Sequence, residues 1–188
     1  MPIQYSLLHS TSENTPPTPG LSVSLGSLQR LRDYPAVEGP AVCREAQRIG
    51  AAGELFFRSC LTGLGFDLLD FPVASAADVG ILLGDRCIRV QIKTVVRPTK
   101  NVYQTSFTRG YRNTGTGVYD YSPGDYDIGA AVLLTDQTII YLPPTKRSVR
   151  IPVDRIPELQ RTHTDRVYQA LADVGALRAL DIETIYTR

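Results

Sequence analysis

The sequence predicts an α/β fold, and three observations support this prediction. One segment in the first third of the chain has the apolar periodicity of a long amphipathic helix, a β-hairpin comes soon after it, and two buried-type strands lie in the second half. The chain has 188 residues, of which 43% are hydrophobic. This length and composition correspond to one domain with enough apolar side chains to form a core.

Composition and charge exclude several classes of protein. The net charge is +1, so no global field attracts nucleic acid or membranes, and any basic surface must be local. The three cysteines lie far apart and lack metal-ligand spacing. No signal peptide is visible at the N-terminus, and no apolar run reaches the length of a membrane span. We therefore expect a cytoplasmic location.

Composition also divides the chain into three regions. Residues 1–40 are expected to form a flexible N-terminal extension, because residues 10–20 consist mainly of Ser, Thr, Asn and Pro. Residues 41–145 are expected to form the main core. Residues 146–188 are expected to form a basic strand or loop and then a C-terminal helix, for which residues 165–177 have amphipathic spacing.

The best helix is predicted over residues 44–63, where apolar side chains recur at helical spacing. Gly50 and Gly53 are unexpected inside it, because each costs about 1 kcal/mol relative to Ala. We expect these glycines to allow close backbone approach to the sheet. Glu54 lies at the edge of the apolar stripe, where a surface salt bridge with Arg58 is the simplest interpretation.

Five strands are predicted from apolar runs bounded by turn residues, over residues 66–73, 78–83, 87–94, 128–134 and 137–142. The second and third form a hairpin around the turn Gly84-Asp85-Arg86. Asp127 stands at the start of the fourth strand much as Asp78 stands at the start of the second, and we interpret Asp127 as a strand-initiating surface or turn residue.

The hairpin carries three polar side chains that can meet in a small space. Asp78 opens its first strand, and Gln91 and Lys93 lie two residues apart on its second strand. Side chains at this spacing point to the same face of a strand. An ordinary solvated hairpin face would carry a similar mixture of charges, so these residues do not by themselves define a site.

Residues 97–118 form a basic, aromatic segment that contains no acidic side chain. Such a segment suits nucleic-acid contact, because Arg and Lys pair with phosphates and aromatic rings stack on bases. A solvated loop, or a hairpin with aromatic β-residues, explains it equally well. A second basic patch lies at residues 145–150. The candidate DNA contacts in the two segments are Arg97, Lys100, Tyr103, Arg109, Tyr111, Arg112, Lys146, Arg147 and Arg150.

Glu54 in the helix, Asp78 at the first hairpin strand and the run Gln91-Ile92-Lys93 on the second together resemble the motif of the PD-(D/E)xK nuclease superfamily. The chain is most similar to the homing endonucleases associated with group I introns. These have a helical Gly-Glu, an Asp, a Val-Gln-(Ile/Val)-Lys-Thr run, and a later Tyr-rich stretch before an Asp and a Tyr-x-Pro. Archaeal-type Holliday junction resolvases have similar spacing, but usually with Glu where this chain has Gln91. The resemblance covers about residues 43–144.

The resemblance implies a restriction-endonuclease-like core, in which a helix packs on a mixed β-sheet, with N- and C-terminal extensions. It also implies hydrolysis of DNA phosphodiester bonds with Mg²⁺, for which Mn²⁺ can substitute, because a hard cation activates water and neutralises the phosphate. Glu54, Asp78, the Ile92 backbone carbonyl and Gln91 would hold the metal. Lys93 would hold or help deprotonate the attacking water and stabilise the developing oxyanion.

The resemblance further implies a cytoplasmic or nucleoid-associated protein, encoded by a prokaryote or a phage, that binds double-stranded DNA. Cutting both strands with one site per chain implies a homodimer or a higher homo-oligomer. Gln91 replaces the commoner carboxylate of the superfamily and leaves three functions open. These are a homing-type double-strand endonuclease, a Holliday junction resolvase or other structure-specific nuclease, and a catalytically inactive module that binds nucleic acid.

Overall fold

The computed structural model describes residues 39–110 and 117–177, and it confirms the predicted α/β fold class. In chain order the helices are α1 (Gly39–Arg44), α2 (Ala46–Gly63), α3 (Ile156–Arg161) and α4 (His163–Asp173), with a short 3-10 helix at Val153–Arg155. The strands are β1 (Asp67–Asp70), β2 (Val79–Leu83), β3 (Arg86–Val95), β4 (Val102–Ser106), β5 (Thr108–Gly110), β6 (Val118–Asp120), β7 (Ile128–Leu133), β8 (Thr138–Leu142) and β9 (Ser148–Pro152). None of the helices in the described part of the chain is long and apolar enough to cross a membrane.

Five of these strands form one mixed sheet in the order β1-β2-β3-β7-β8. β1, β2 and β3 are antiparallel neighbours, β3 and β7 run parallel, and β8 returns antiparallel to β7. Strand β3 lies at the centre of the sheet and has ten residues. The parallel pairing places Gln91 opposite Gly129 and Lys93 opposite Ala131. The motif residues of β3 therefore lie in the middle of the sheet, where neighbouring strands hold the backbone on both sides.

Two apolar clusters cover the two faces of this sheet. On one face, Phe57 and Leu61 of α2 and Val167 and Leu171 of α4 pack against buried sheet residues. The cluster on the other face combines the sheet residues Ala131 and Leu133 with Tyr103 of β4, Ile151 of β9 and Ile156 of α3. All six residues of β7 are buried as a result, which explains why its sequence is continuously apolar instead of alternating.

The element boundaries differ from the predicted ones at three places. Glu45 lies in a turn, so α2 begins two residues later than the predicted helix, and the separate short helix α1 precedes it. The strand predicted over residues 66–73 is limited to the four residues of β1. The C-terminal helix begins two residues earlier than predicted and ends at Asp173. Most of the extension predicted for residues 1–40 lies outside the described residues.

The basic, aromatic segment forms short strands instead of one loop: β4 pairs with β9, and β5 pairs with β6. Tyr103 and Phe107 are each 2% exposed, and the Tyr103 hydroxyl donates a hydrogen bond to Asp136. Because its ring is enclosed in the core, Tyr103 is not available to stack on bases, and the prediction that it contacts DNA is corrected. Tyr111 and Arg112, which were also predicted to contact DNA, lie outside the described residues.

Candidate functional site

The β2–β3 hairpin places Asp78 beside Gln91. Its turn has two residues, Gly84 and Asp85, and Gly84 has a φ of 62°, which suits a tight hairpin. The Asp78 N–H donates to the Val90 carbonyl at 2.9 Å, so the ladder continues one residue beyond the start of β2. Asp78 therefore faces the same side of the hairpin as Gln91, in agreement with the spacing of these residues in the sequence.

Two oxygen atoms converge on the side-chain amide of Gln91. Gln91 Nε2 donates to Asp78 Oδ2 at 2.7 Å and to the Ile92 carbonyl at 3.1 Å. Asp78 Oδ2 also accepts the Ile92 N–H at 2.6 Å. Gln91 is only 4% exposed, so these contacts form away from bulk water. A carboxylate oxygen and a carbonyl oxygen thus accept hydrogen bonds from one donor. Oxygen atoms of these kinds are the ligands that hard divalent cations bind.

Glu54 approaches the same place from α2, because Gly53 lies directly against Thr94 of β3. A Cβ added at Gly53 would lie 1.9 Å from Thr94 Oγ1. This contact between helix and sheet leaves Glu54 in the cleft that Asp78 also lines. The predicted packing role of Gly53 is confirmed. The same prediction for Gly50 is wrong, since a Cβ there would meet no atom within 4 Å.

The two carboxylates of the cleft repel each other. Burial raises the pKa of Glu54 above its ordinary value and the charge of Asp78 raises it further, whereas Arg58 lowers it. Burial also raises the pKa of Asp78, against the hydrogen bond from the Ile92 N–H and the attraction of Lys93 and Arg58. Because the two carboxylates repel each other, a cation that binds between them stabilises the site.

Arg58 is shared between two carboxylates. Its guanidinium lies 4.0 Å from Glu54, four residues before it on α2, and it forms an ion pair with Asp70 at the end of β1. The predicted salt bridge between Glu54 and Arg58 is therefore present but at the limit of an ion pair. Because Asp70 holds the guanidinium, the Glu54 carboxylate keeps ligand capacity for other groups.

Lys93 is enclosed by residues that do not belong to the sequence motif. Its Nζ lies 5.5 Å from the centroid of the Tyr121 ring, and the Arg109 guanidinium lies 5.6 Å from the same centroid. Both distances are within the range of cation–π interactions. Burial lowers the pKa of Lys93 from its ordinary value, the charge of Asp78 opposes this, and Arg109 adds to the lowering. Burial raises the pKa of Tyr121 to about 12, so its ring is neutral at physiological pH.

Sequence reasoning missed Tyr121 as a residue of the site. It belongs to a tyrosine-rich stretch, in which Tyr119 is 49% exposed and Tyr126 is 3% exposed. Tyr121 packs edge-on against Tyr126, with 5.1 Å between the ring centroids. The composition of the stretch does not distinguish the three tyrosines. Only the path of the chain after β6 shows which ring covers Lys93.

One cleft joins these side chains into a single site. It has a volume of about 830 Å³, and its lining residues include Glu54, Asp78, Gln91, Ile92, Lys93 and, from β4, Gln104 and Thr105. Among residues 39–110 and 117–177, no group of three or more His, Cys, Asp and Glu side chains is arranged to hold a metal ion. A cation in this cleft would therefore depend on two carboxylates together with amide and backbone oxygens.

A bacterial homing endonuclease, I-Ssp6803I, is among the solved structures that resemble this chain. The superposition has a TM-score of 0.49 with 13% sequence identity, and it covers 63% of this chain and 95% of that chain. No family model matches the sequence, and no curated protein matches it significantly. A likeness of this degree does not place the chain in a family, so its function has to be inferred from the geometry of its own site.

Of the basic residues predicted to contact DNA, those that the structure describes are exposed, and Arg109 and Arg147 have acidic partners. Arg147 lies 2.9 Å from Asp120, and Arg109 lies 3.9 Å from Asp125. Exposed ion pairs of this kind contribute about 0–1 kcal/mol, so phosphate oxygens can replace the carboxylates. The other predicted contacts on the described surface are Arg97, Lys100, Lys146 and Arg150, all of them exposed.

Asp127 has a structural role, as its position before a strand indicated. Its carboxylate accepts the Arg89 backbone N–H at 2.8 Å and two hydrogen bonds from the Arg89 guanidinium, at 3.0 and 3.1 Å. Burial raises the pKa of Asp127, but the hydrogen bonds from Arg89 outweigh it, and the pKa is lowered overall. The pair ties the start of β7 to β3 and leaves Asp127 outside the candidate site.

Because the folded state lowers the pKa of Asp127, this pair should stabilise the protein above the unfolded-state pKa of about 3.9 and lose its effect as the pH falls through the lower folded-state value. We expect Asp127→Asn to reduce the free energy of unfolding by about 1 kcal/mol at pH 7, since the pair is partly exposed. The reduction should shrink towards pH 3. Urea unfolding at both pH values measures it, with Asp85→Asn in the exposed hairpin turn as the control. An equal loss at both pH values would contradict the electrostatic explanation.

Proposed function

We propose that this protein is a Mg²⁺-dependent endonuclease that hydrolyses phosphodiester bonds in DNA. The observation that carries the proposal is the convergence of Asp78 Oδ2 and the Ile92 carbonyl oxygen, 2.7 and 3.1 Å from one Gln91 nitrogen, in a cleft that Glu54 and Lys93 also line. A ligand set of oxygen atoms without thiolate or imidazole favours a hard cation such as Mg²⁺ or Mn²⁺.

The chemistry of each side chain determines its role in this proposal. Asp78 and the Ile92 carbonyl would hold the cation directly, and Glu54 would bind it directly or through water. When bound, the cation supplies charge neutralisation at the phosphate and activation of water. Lys93 carries an ammonium whose charge acts on Asp78, and its Nζ lies 5.5 Å from the centroid of the Tyr121 ring. Its hydrogen-bond donors would orient the attacking water and stabilise the charge that develops on the phosphate oxygens.

Gln91 decides whether the cleft can hold a cation. Its Nε2 now occupies the point on which the oxygens of Asp78 and Ile92 converge. A half-turn of the amide group would present Oε1 there as a neutral ligand and would give up the hydrogen bond to Asp78. A neutral amide attracts a divalent cation less than a carboxylate does. The hydrogen bond from Gln91 to Asp78 therefore favours one other function, that of a nucleic-acid-binding module without catalysis.

For double-strand cleavage of the homing type, we propose that two or more copies of the chain act together on DNA. Each chain contributes one cleft, and the two strands of a duplex are related by a local two-fold axis. Light scattering with and without duplex DNA would test this assembly. A monomer in both states that still makes double-strand breaks would contradict it.

Cleavage assays on supercoiled plasmid, linear duplex and four-way junction DNA, each with Mg²⁺, Mn²⁺ or EDTA, test the proposed reaction. We expect cutting with either metal, none with EDTA, and none with the Asp78→Asn variant, while the Asp85→Asn control cuts as wild type does. Preferential cutting of junctions would indicate a resolvase. DNA binding that survives Asp78→Asn, with no hydrolysis by the wild type in either metal, would overturn the proposal and support the binding module.

A further inference from the structure

Strands β4 and β9 form a two-stranded antiparallel ribbon that lies outside the central sheet. Its inner face is buried, with Tyr103 at 2% and Ile151 at 6% exposure. Its outer face is exposed, and there Gln104 lies directly opposite Arg150. We call these two strands the β4–β9 ribbon.

The outer face of the ribbon carries hydrogen-bonding groups and no negative charge. Its two cross-strand pairs with exposed polar side chains are Gln104 with Arg150 and Ser106 with Ser148. None of the ten residues of these strands, all of which the structure describes, is acidic. Arg and Gln are the side chains that make bidentate hydrogen bonds to guanine and adenine edges, and Ser bonds to either.

Basic residues lie at both ends of the ribbon. At one end, Thr99 and Val102 pair across a tight turn, in which Lys100 and Asn101 take φ values of 51° and 59° and Lys100 is exposed. At the other end, the chain enters β9 through Lys146 and Arg147. Five residues of strand span about 17 Å, somewhat more than the roughly 12 Å width of the major groove. Cations at the two ends could therefore meet the phosphates that border the groove.

The ribbon also adjoins the candidate active site. Gln104 and Thr105 line the same cleft as Asp78 and Lys93. A duplex with a phosphate in this cleft would bring base edges close to the outer face of β4. The ribbon is thus placed to read sequence next to the bond that is cut.

We propose that the β4–β9 ribbon enters the major groove of double-stranded DNA, where Gln104 and Arg150 contact base edges and Lys100 contacts a flanking phosphate. This inference rests on the proposed function in taking duplex DNA as the substrate and the cleft as the place that binds its phosphate. It makes Gln104 a residue that determines specificity, a role that its sequence context does not indicate. An outer face without acidic side chains, between two cationic ends, is the feature that distinguishes base reading from uniform phosphate binding.

Selection from a random duplex library, with bound and cleaved DNA sequenced separately, tests the inference. For wild type we expect a base preference in the bound pool. Arg150→Ala and Gln104→Ala should each relax that preference at one or two neighbouring positions, by about 5- to 150-fold in discrimination. Lys100→Ala should weaken binding to all sequences alike and reduce the slope of affinity against salt by about one. Arg155→Ala, an exposed arginine outside the ribbon, is the matched control and should leave the preference unchanged.

The two pools separate this inference from the proposed function. A preference that depends on Gln104 and Arg150 in the bound pool, with no cleaved DNA, supports the ribbon and rejects the nuclease. Cleaved DNA whose base preference is unaffected by both ribbon variants rejects the ribbon and keeps the nuclease. A bound pool without any base preference also overturns the inference.

Discussion

Replacing Lys93 with Met should slow DNA cleavage by about 10²–10⁴-fold, the range typical of a lost acid–base or electrostatic group. Met keeps most of the length and apolar volume of the side chain, so the partly buried position beneath the Tyr121 ring should remain filled. Binding of DNA should change little, because the lost ammonium acts at one phosphate. Single-turnover cleavage and DNA affinity, measured separately, give the two effects. A loss of affinity as large as the loss of rate would contradict a catalytic role.

Tyr121 provides a graded comparison for the same reaction. The centroid of its ring lies 5.5 Å from Lys93 Nζ, and a cation–π interaction contributes about 0.5–2 kcal/mol. Tyr121→Leu should therefore slow cleavage by about 2- to 30-fold, and Tyr121→Phe, which keeps the ring, should retain the wild-type rate. Equal losses for Phe and Leu would show that the hydroxyl, and not the ring, is what matters. No loss for Leu would mean that the ring does not position Lys93.

Gly53→Ala should lower the free energy of unfolding by about 1–3 kcal/mol, although Ala favours helix formation. The added Cβ would lie 1.9 Å from Thr94 Oγ1 and 2.8 Å from Thr94 Cβ, so helix α2 would have to move away from β3. Gly50→Ala, one turn earlier in the same helix, should instead raise stability by up to about 1 kcal/mol, because nothing lies within 4 Å of its Cβ. Urea unfolding of the two variants gives the comparison, and the same sign for both would contradict it.

The displacement of α2 should also affect the reaction, because Glu54 follows Gly53 directly. A misplacement of about 1 Å can slow catalysis by about 10²-fold. Thr94→Ala, combined with Gly53→Ala, should restore part of the stability and of the cleavage rate, since it removes Thr94 Oγ1 and Cγ2 but keeps the Cβ contact at 2.8 Å. Rescue of stability without rescue of cleavage would separate Glu54 positioning from packing.

The elements that could be predicted from the sequence are those formed by residues close together along the chain. The hairpin that carries Asp78 and Gln91 follows from two β-branched runs around a turn that begins with Gly-Asp. Its register depends on the structure, in which Arg86 pairs with Leu83 and the turn has two residues instead of the predicted three. The long helix follows from its apolar period. The packing of Gly53 could also be anticipated, because a glycine in a helix interior is unfavourable without a compensating contact. The sequence also placed the amide of Gln91 beside Asp78, but it did not indicate that the amide nitrogen donates to the Asp78 carboxylate.

Contacts between distant segments could not be predicted, because many pairings of short strands satisfy the same local pattern. The partner of β4 is β9, on the far side of β7 and β8 in the chain, and this pairing buries Tyr103 and exposes Gln104. The tyrosine that covers Lys93 is likewise set by how the chain returns after β6. The sequence by itself determined the fold class, the central hairpin and the carboxylates of the cleft. Tertiary structure alone decided which ring, which ribbon and which basic side chains surround them, since those contacts depend on long-range burial that local periodicity does not encode.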